Sequence, residues 1–203
     1  MNISQTETAD GSLPDTPELE ADGAAGSEQS DALENDTREL IMRFLLEHTG
    51  LERPQWRESR ALSTMRRVVG GLLEKHRYTF NGMVNTFSLG NRDSDVQLLS
   101  NVARLMFSDG IASWGRIVSL VAFGAVVCKA MKEKRRGGNV PLVAGEISSY
   151  LLAEQRGWLT ENNSWDGFVE YFRVSDLESD VWDVLMTFMK VSAIAAMLAW
   201  LIR

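Results

Sequence analysis

The sequence has few of the residues that build disulfide frameworks and metal sites. Its 203 residues include one cysteine, Cys128, and two histidines, His48 and His76, which lie far apart in the chain. A single thiol excludes a disulfide framework and a site of several thiolates, and two distant imidazoles argue against a zinc site. The motifs G-x-S-x-G, G-x-x-x-x-G-K, G-x-G-x-x-G and H-E-x-x-H are also absent. We therefore expect no metal, no cofactor and no enzymatic activity.

Basic residues are missing from the first part of the chain. Residues 1–37 hold ten of the 28 Asp and Glu residues and no Lys or Arg, which leaves 18 acidic against 21 basic residues in the remainder. The overall charge of −7 argues against nucleic acid as a partner, because phosphate binding needs a basic excess. Since residues 1–37 also lack aromatic side chains, we predict a disordered acidic tail. This tail either serves turnover or has no particular role.

No convincing strand pattern is present, and apolar residues recur at helical spacing from Arg38 onward. The spacing predicts a first helix from Arg38 and a long amphipathic helix from Leu62 to Phe80. The run Ile117–Cys128 is apolar on all sides but too short to span a bilayer, which predicts a helix buried on every side. We predict an all-α fold over residues 38–180, in which amphipathic helices surround a central buried apolar helical hairpin.

The end of the chain has the character of a membrane anchor. Within residues 181–203, Val184–Ile202 is nineteen residues long and carries one charge, Lys190. A helix of this length spans about 28 Å, close to the hydrocarbon thickness of a bilayer. Trp182 and Trp200 would lie near the two interfaces, where indole is favoured. We predict a C-terminal transmembrane helix, with an amphipathic helix folded onto the body as the alternative.

One charged residue of the body has an unusual position. Arg116 directly precedes the apolar run, where a positive charge opposes the helix dipole. The neighbouring Trp114 offers a large apolar surface, Gly115 permits close approach of a partner backbone, and a guanidinium can bind a carboxylate through two hydrogen bonds. Either a structural ion pair or a partner-binding role explains this position.

Three segments resemble homology regions of the B-cell lymphoma 2 family of apoptosis regulators. Ala61–Leu73 (ALSTMRRVVGGLL) is similar to the third region, Phe107–Lys129 (FSDGIASWGRIVSLVAFGAVVCK) to the first, and Trp165–Phe172 (WDGFVEYF) to the second. Their order is that of the family, and with the anchor the likeness runs from about Arg38 to Arg203. The details are similar to the myeloid cell leukaemia 1 branch, survival proteins whose N-terminal region is usually much longer.

The resemblance implies a helical bundle with a surface groove that captures the amphipathic third-region helix of pro-apoptotic relatives. It assigns Arg116 to the partner's aspartate, Trp114 and Gly115 to the groove wall, and Asp109 to a basic residue of the partner. The implied apolar lining comprises Leu72, His76, Phe80, Met83 and Phe87 on one side and Leu99, Val102, Met106, Leu120 and Phe123 on the other. For each apolar member, plain core packing is the alternative.

Two positions depart from the family pattern. Ser113 stands where the family usually has Asn, which alters a hydrogen bond beside the partner's aspartate. Gly70 stands where the third region usually has Asp, so this chain's own third region lacks the acid that would bind another member's arginine. The second departure favours a receptor over a ligand that activates cell death.

The expected function is therefore that of a tail-anchored anti-apoptotic protein. It would form heterodimers with pro-apoptotic family members and prevent permeabilisation of the outer mitochondrial membrane, with its body facing the cytosol. Cytoplasm, endoplasmic reticulum and nucleus are further expected locations. Two alternatives remain: an effector of the same fold that permeabilises membranes, and a membrane-tethered scaffold without a role in cell death.

Overall fold

The computed structural model describes residues 21–53, 59–86, 92–134 and 139–174. Within these ranges the chain forms eight helices and no strand, which confirms the predicted all-helical class. The helices are α1 (Ala21–His48), α2 (Arg60–Lys75), α3 (Arg77–Thr86), α4 (Arg92–Met106), α5 (Trp114–Glu133), α6 (Val140–Glu154), α7 (Arg156–Glu161) and α8 (Ser164–Val174).

Helix α5 is the central element and packs against α1, α2, α3, α4 and α6. It begins after Ser113, whose Oγ accepts a hydrogen bond from the backbone N–H of Arg116 at 3.3 Å. The four successive residues Ile117–Leu120 point in four directions around the helix, and all four are buried. Among the described helices, α5 alone is long and apolar enough to cross a membrane, yet most of it is buried in the body. The prediction of an apolar helix buried on every side is confirmed.

Helix α6 packs closely against α5 but buries only one of its own faces. A Cβ atom added to Gly124 of α5 would clash with Cδ1 of Ile147, so the close approach of the two helices favours a glycine here. The buried face of α6 consists of Val140, Val143, Ala144, Ile147, Ser148, Leu151 and Leu152. The second arm of the predicted hairpin is thus amphipathic, unlike α5.

Helix α1 begins much earlier than the sequence pattern predicted. Its first residue is Ala21, so the predicted start at Arg38 is wrong, and residues 21–37 are helical rather than a disordered tail. Leu33 on this extension is buried in the core. Arg156 anchors the extension, because its Nη1 donates to Oγ of Ser30 at 2.6 Å and its Nη2 lies 3.3 Å from Oε2 of Glu34. Acidic residues near a helix N-terminus also complement the helix dipole.

Two side-chain contacts fix the rest of α1 to distant parts of the chain. The indole Nε1 of Trp165 donates to Oγ1 of the fully buried Thr37 at 2.9 Å. At the other end of α1, Nζ of Lys132 donates to the carbonyl oxygen of Thr49 at 2.5 Å. These bonds satisfy polar groups that burial would otherwise penalise, so they fix α1 against α5 and α8.

Helix α2 is capped by Ser59, whose Oγ accepts the N–H of Leu62 at 3.2 Å. The long helix predicted from Leu62 to Phe80 is wrong in one respect, because it is interrupted at His76. The backbone of His76 has φ −113° and ψ 25°, which is not helical, and α3 begins at the next residue. The interruption places two shorter helices along the same side of α5.

The middle of α2 contains two adjacent glycines. A Cβ atom added at Gly70 or Gly71 would meet no atom within 4 Å, so neither position needs a glycine for space. A glycine inside a helix costs about 1 kcal/mol relative to alanine. The pair therefore weakens α2 without a packing reason.

The predicted tail anchor lies outside the described part of the chain. Residues 175–203, which include the anchor and the boundary between residues 180 and 181, lie outside the described ranges. Residues 1–20 of the predicted acidic tail also lie outside them. The anchor therefore stays a prediction.

Candidate partner-binding site

Arg116, the residue assigned to the partner's aspartate, forms a two-point ion pair with Asp109 of the α4–α5 turn. Its Nη2 lies 2.7 Å from Oδ2, and its Nη1 donates to Oδ1 of the same carboxylate. Nη1 also donates to the carbonyl oxygen of Ile111 at 2.7 Å. The Arg116 side chain is 16% exposed, whereas that of Asp109 is 49% exposed. The guanidinium therefore lies at the edge of the body with its carboxylate partner toward solvent.

The turn between α4 and α5 makes this pair possible. Gly110 has a φ of +74°, which suits a residue without a Cβ atom, and reverses the chain directly after Asp109. The Asp109 carboxylate also accepts the backbone N–H of Ile111 at 3.0 Å. Because the turn folds back on α5, residues seven positions apart come into contact.

The pair keeps both of its members charged. The hydrogen bond from Arg116 holds the pKa of the Asp109 carboxyl well below its usual range, and the N–H of Ile111 lowers that pKa further. In turn, the hydrogen bond to Asp109 raises the pKa of the Arg116 guanidinium. At neutral pH the site thus presents a bound carboxylate and a guanidinium in the geometry that arginine uses for carboxylate recognition.

Trp114 is buried in an aromatic cluster of the core. Its ring centroid lies 4.9 Å from that of Trp158, 5.9 Å from that of Trp165 and 5.5 Å from that of Phe168. The neighbouring Gly115 is buried as well. Both residues fix the start of α5, and thus the position of Arg116, while the sequence prediction assigned them to the groove wall.

Most of the predicted apolar lining is buried within the described body. Leu72 and Phe80 come from α2 and α3, and they join one continuous core with their counterparts on α4 and α5, which are Leu99, Val102, Leu120 and Phe123. Met106 and His76 are half-buried. Burial lowers the pKa of His76, and Lys75 lowers it further, which favours the neutral imidazole. The side chain of Met83 and all of Phe87 lie outside the described residues.

Within the part of the chain that the structure describes, the buried lining residues belong to one continuous core. A surface cavity of about 280 Å³ lies elsewhere, between α1 and the starts of α2 and α8. It is lined by Asp36, Glu39, Leu40, Arg43, Ser59, Arg60, Ala61, Leu62, Ser164, Trp165 and Asp166. No residue of the predicted groove borders it.

Two features of the site were not predicted. The sequence analysis assigned Asp109 to a basic residue of the partner, but in the structure Asp109 binds Arg116. A separation of seven residues does not by itself predict this pairing. Ile111 is 59% exposed and supplies a carbonyl oxygen to Arg116. The sequence did offer one indication of this role, because Ile111 lies between an Asp-Gly turn and the Trp114–Arg116 triplet. Among the residues that the structure describes, no three His, Cys, Asp or Glu side chains could hold a metal ion.

Comparison with known proteins agrees with this architecture. A family model described as apoptosis regulator proteins of the Bcl-2 family matches residues 65–165, from the middle of α2 to the start of α8. The chain therefore belongs to the Bcl-2 family of apoptosis regulators, as the resemblance of its three homology regions predicted.

Individual relatives match shorter or more divergent segments. An apoptosis regulator Bcl-2 homolog of Canarypox virus is 46% identical over 59 residues, 29% of this chain and 34% of the viral protein. The anti-apoptotic protein NR13 of Coturnix japonica is 29% identical over 114 residues, 56% of this chain and 64% of NR13. Human Bcl-2-like protein 1 is 34% identical over 76 residues, 37% of this chain and 32% of that protein. The chain thus spans between about a third and just under two thirds of the length of these relatives.

Proposed function

We propose that this protein is an anti-apoptotic regulator, which binds the third-region helix of pro-apoptotic relatives in a groove between α2–α3 and α4–α5. The observation that carries the proposal is the two-point ion pair of Arg116 with a carboxylate at the edge of the apolar core. The same guanidinium can accept the aspartate of a partner helix, while the apolar side chains beneath it contact the apolar face of that helix. The description of NR13 as anti-apoptotic supports the survival role.

Gly70 adds a second argument for the receptor role. A third-region helix that acts as a ligand needs an acidic residue for the arginine of the receptor, and α2 has glycine at that position. Membership of the myeloid cell leukaemia 1 branch remains a prediction from the details of the homology regions. The assignment of individual residues to partner binding also remains a prediction.

We also propose that residues 181–203 anchor the protein in the outer mitochondrial membrane with the body in the cytosol. The support is the length and apolarity of Val184–Ile202. Deletion of Val184–Arg203 should move the protein from the mitochondrial to the soluble fraction of healthy cells. An unchanged distribution on fractionation would contradict the anchor.

A binding assay with helical peptides tests the groove. The full chain should bind fluorescent third-region peptides of pro-apoptotic family members, and replacing the peptide's aspartate with alanine should weaken binding. Fluorescence polarisation measures both affinities. Failure of a broad peptide panel to bind would contradict the receptor role. If the chain itself releases dye from liposomes when such a peptide is added, the effector alternative is favoured.

A further inference from the structure

The helices α1, α5 and α8 all end at the same end of the body. Nη2 of Arg66 in α2 lies 2.6 Å from Oε2 of Glu47, near the end of α1. Nη2 of the adjacent Arg67 donates to the carbonyl oxygen of Phe172, near the end of α8, at 2.8 Å. The hydrogen bond from Lys132 to the turn after α1 brings the end of α5 to the same place. The last turns of three helices therefore lie together beside the middle of α2.

Basic residues outnumber acidic ones on this surface. We call it the basic end and define it as residues 47–53, 66–67, 129–134 and 170–174. These ranges hold seven Lys and Arg residues against four Glu residues. The basic residues are Arg53, Arg66, Arg67, Lys129, Lys132, Lys134 and Arg173. The three lysines lie on the last turns of α5, and all three are exposed. The described part of this surface is therefore positively charged.

The opposite end of the body has the reverse balance of charge. Ring contacts of Trp114, the ion pair of Arg60 with Asp166 and the hydrogen bond from Arg156 to α1 bring together the segments that form it. These segments are residues 30–38, 59–61, 109–116 and 154–166, which hold seven Asp and Glu residues against four Arg residues. Helix α5 runs about 30 Å between the two ends. An anionic surface therefore attracts one end of the body and repels the other.

An exposed leucine lies within the basic end. Leu51 is 45% exposed and follows Gly50, whose φ of +67° ends α1. The N–H of Leu51 donates to the carbonyl oxygen of Leu46 at 2.9 Å, as in other helix-ending turns with glycine. A Cβ atom added to Gly50 would lie 3.6 Å from Nζ of Lys132. The apolar side chain of Leu51 is thus one residue away from a contact of the lysine cluster.

Helix stability explains only part of this arrangement. Lysines in the last turn of α5 complement the helix dipole, and Arg66 and Arg67 hold α2 in place. Neither effect explains the exposed Leu51 and Arg53 after the end of α1. Basic side chains around an exposed apolar one suit an anionic membrane, because the charges attract lipid headgroups while the apolar group enters the interface.

We propose that the basic end docks on the headgroups of an anionic phospholipid membrane. The inference rests on the proposed function, because the proposed anchor brings the body to the membrane. Helix α8 ends at Val174 in the basic end, and nine residues separate it from Val184, where the predicted span begins. A link of this length keeps the basic end within about 35 Å of the bilayer but does not fix its orientation.

Docking through the basic end fixes this orientation. Charge attraction acts only within about 8 Å at physiological ionic strength, so the end that touches the membrane determines how the body stands. Arg116 lies at the opposite end, about 30 Å away along α5. The docked protein therefore presents Arg116 to the cytosol, where a partner helix can reach it.

Fluorescence quenching on liposomes tests the docking with the full chain. A maleimide dye on Glu52→Cys reports on the basic end, and the same dye on Thr160→Cys reports on the opposite end, while the buried Cys128 should stay unlabelled. On phosphatidylcholine vesicles with about 30% phosphatidylserine, brominated lipids should quench the first dye and not the second. On phosphatidylcholine alone, or in about 0.5 M NaCl, this quenching should be lost. Equal quenching of the first dye on neutral and anionic vesicles would overturn the proposal.

Charge variants show whether the lysines cause the docking. Lys129→Gln/Lys134→Gln should lower the ratio of docked to undocked protein by about thirtyfold, because each base near an anionic surface contributes about fivefold. The matched control Arg38→Gln/Arg104→Gln removes two exposed charges outside the basic end and should leave the quenching unchanged. Unchanged quenching in the lysine variant, or an equal loss in both variants, would contradict the docking.

The competing occupant of the basic end is the link itself, whose acidic residues are Asp176, Glu178, Asp180 and Asp183. If the dye at position 52 is shielded from iodide on neutral vesicles, and if neutralising these four acids exposes it, the link covers the surface and the membrane proposal is wrong.

Sedimentation with the vesicles separates this proposal from the anchor. Binding to both kinds of vesicle without quenching would support the anchor and refute the docking. Binding to anionic vesicles alone, lost in the lysine variant, would support the docking and refute the anchor. Binding to neither kind would refute both.

Discussion

Replacing Arg116 with alanine probes the central residue of the proposed groove. In the free protein Arg116 holds Asp109 and the carbonyl oxygen of Ile111, and the loss of these contacts should affect the fold little, because half of the Asp109 side chain is already exposed to solvent. In the complex the variant leaves the partner's aspartate without its guanidinium and next to the anionic Asp109. Truncating one member of a desolvated charge pair costs about 2–5 kcal/mol.

The structure favours the lower end of this range. Arg116 already binds a carboxylate before the partner arrives, so the partner's aspartate gains less than it would from an unpaired guanidinium. We expect a loss of about 2 kcal/mol, which is roughly a thirtyfold weaker dissociation constant.

A double-mutant cycle separates this pair from general damage to the site. Arg116→Ala should cost less than about threefold in affinity for a peptide whose aspartate is already alanine. Isothermal titration calorimetry with both peptides measures the four affinities, and Arg104→Ala on the exposed part of α4 removes a similar charge as a control. Equal losses with the two peptides would refute the assignment and leave Arg116 as a structural residue of the α4–α5 turn.

Three further variants or reagents test the packing of the described body. Gly124→Ala should lower the free energy of unfolding by up to about 2 kcal/mol in urea denaturation, because overpacking against Ile147 outweighs the gain in helix preference. A higher free energy of unfolding would contradict the close contact between α5 and α6. Thr37→Val should cost about 1–3 kcal/mol by the same measurement, since the buried Nε1 of Trp165 loses its acceptor, and an unchanged midpoint would show that the indole finds another partner. Burial raises the pKa of the Cys128 thiol to about 12, so a maleimide reagent should label the unfolded chain and spare the native one at pH 7. Rapid labelling of the native protein would contradict the buried position.

The core helix could be predicted from sequence because its signal is local. The run Ile117–Cys128 is apolar on all sides, a pattern typical of a helix that is buried on every side. The resemblance of the homology regions likewise rests on residues that are contiguous in the chain. The all-helical class and the family membership therefore followed from sequence patterns.

The start of α1 could not be predicted because its support comes from far along the chain. Residues 21–37 are acidic and contain little apolar surface, which resembles a disordered segment by composition. Their stabilising contacts are to Arg156 and Trp165, which lie more than 100 positions away, so the sequence around residues 21–37 does not indicate them. The Arg116–Asp109 pair escaped prediction for a related reason, since it depends on the backbone conformation of Gly110.

The same long-range contacts of α1 have a consequence for synthesis of the chain. Thr37 and its partner Trp165 are separated by 128 positions, a distance that takes a ribosome roughly 6–25 s to cover. Helix α5 is complete at Glu133, 32 positions before Trp165, so for the last roughly 2–6 s of this time α6 and then the start of α8, which cover the core, are still being made. Contacts of such long range also slow folding after release. The nascent protein therefore presents a strongly apolar helix to the cytosol for seconds, and we expect its yield in cells to depend on chaperones that bind this segment.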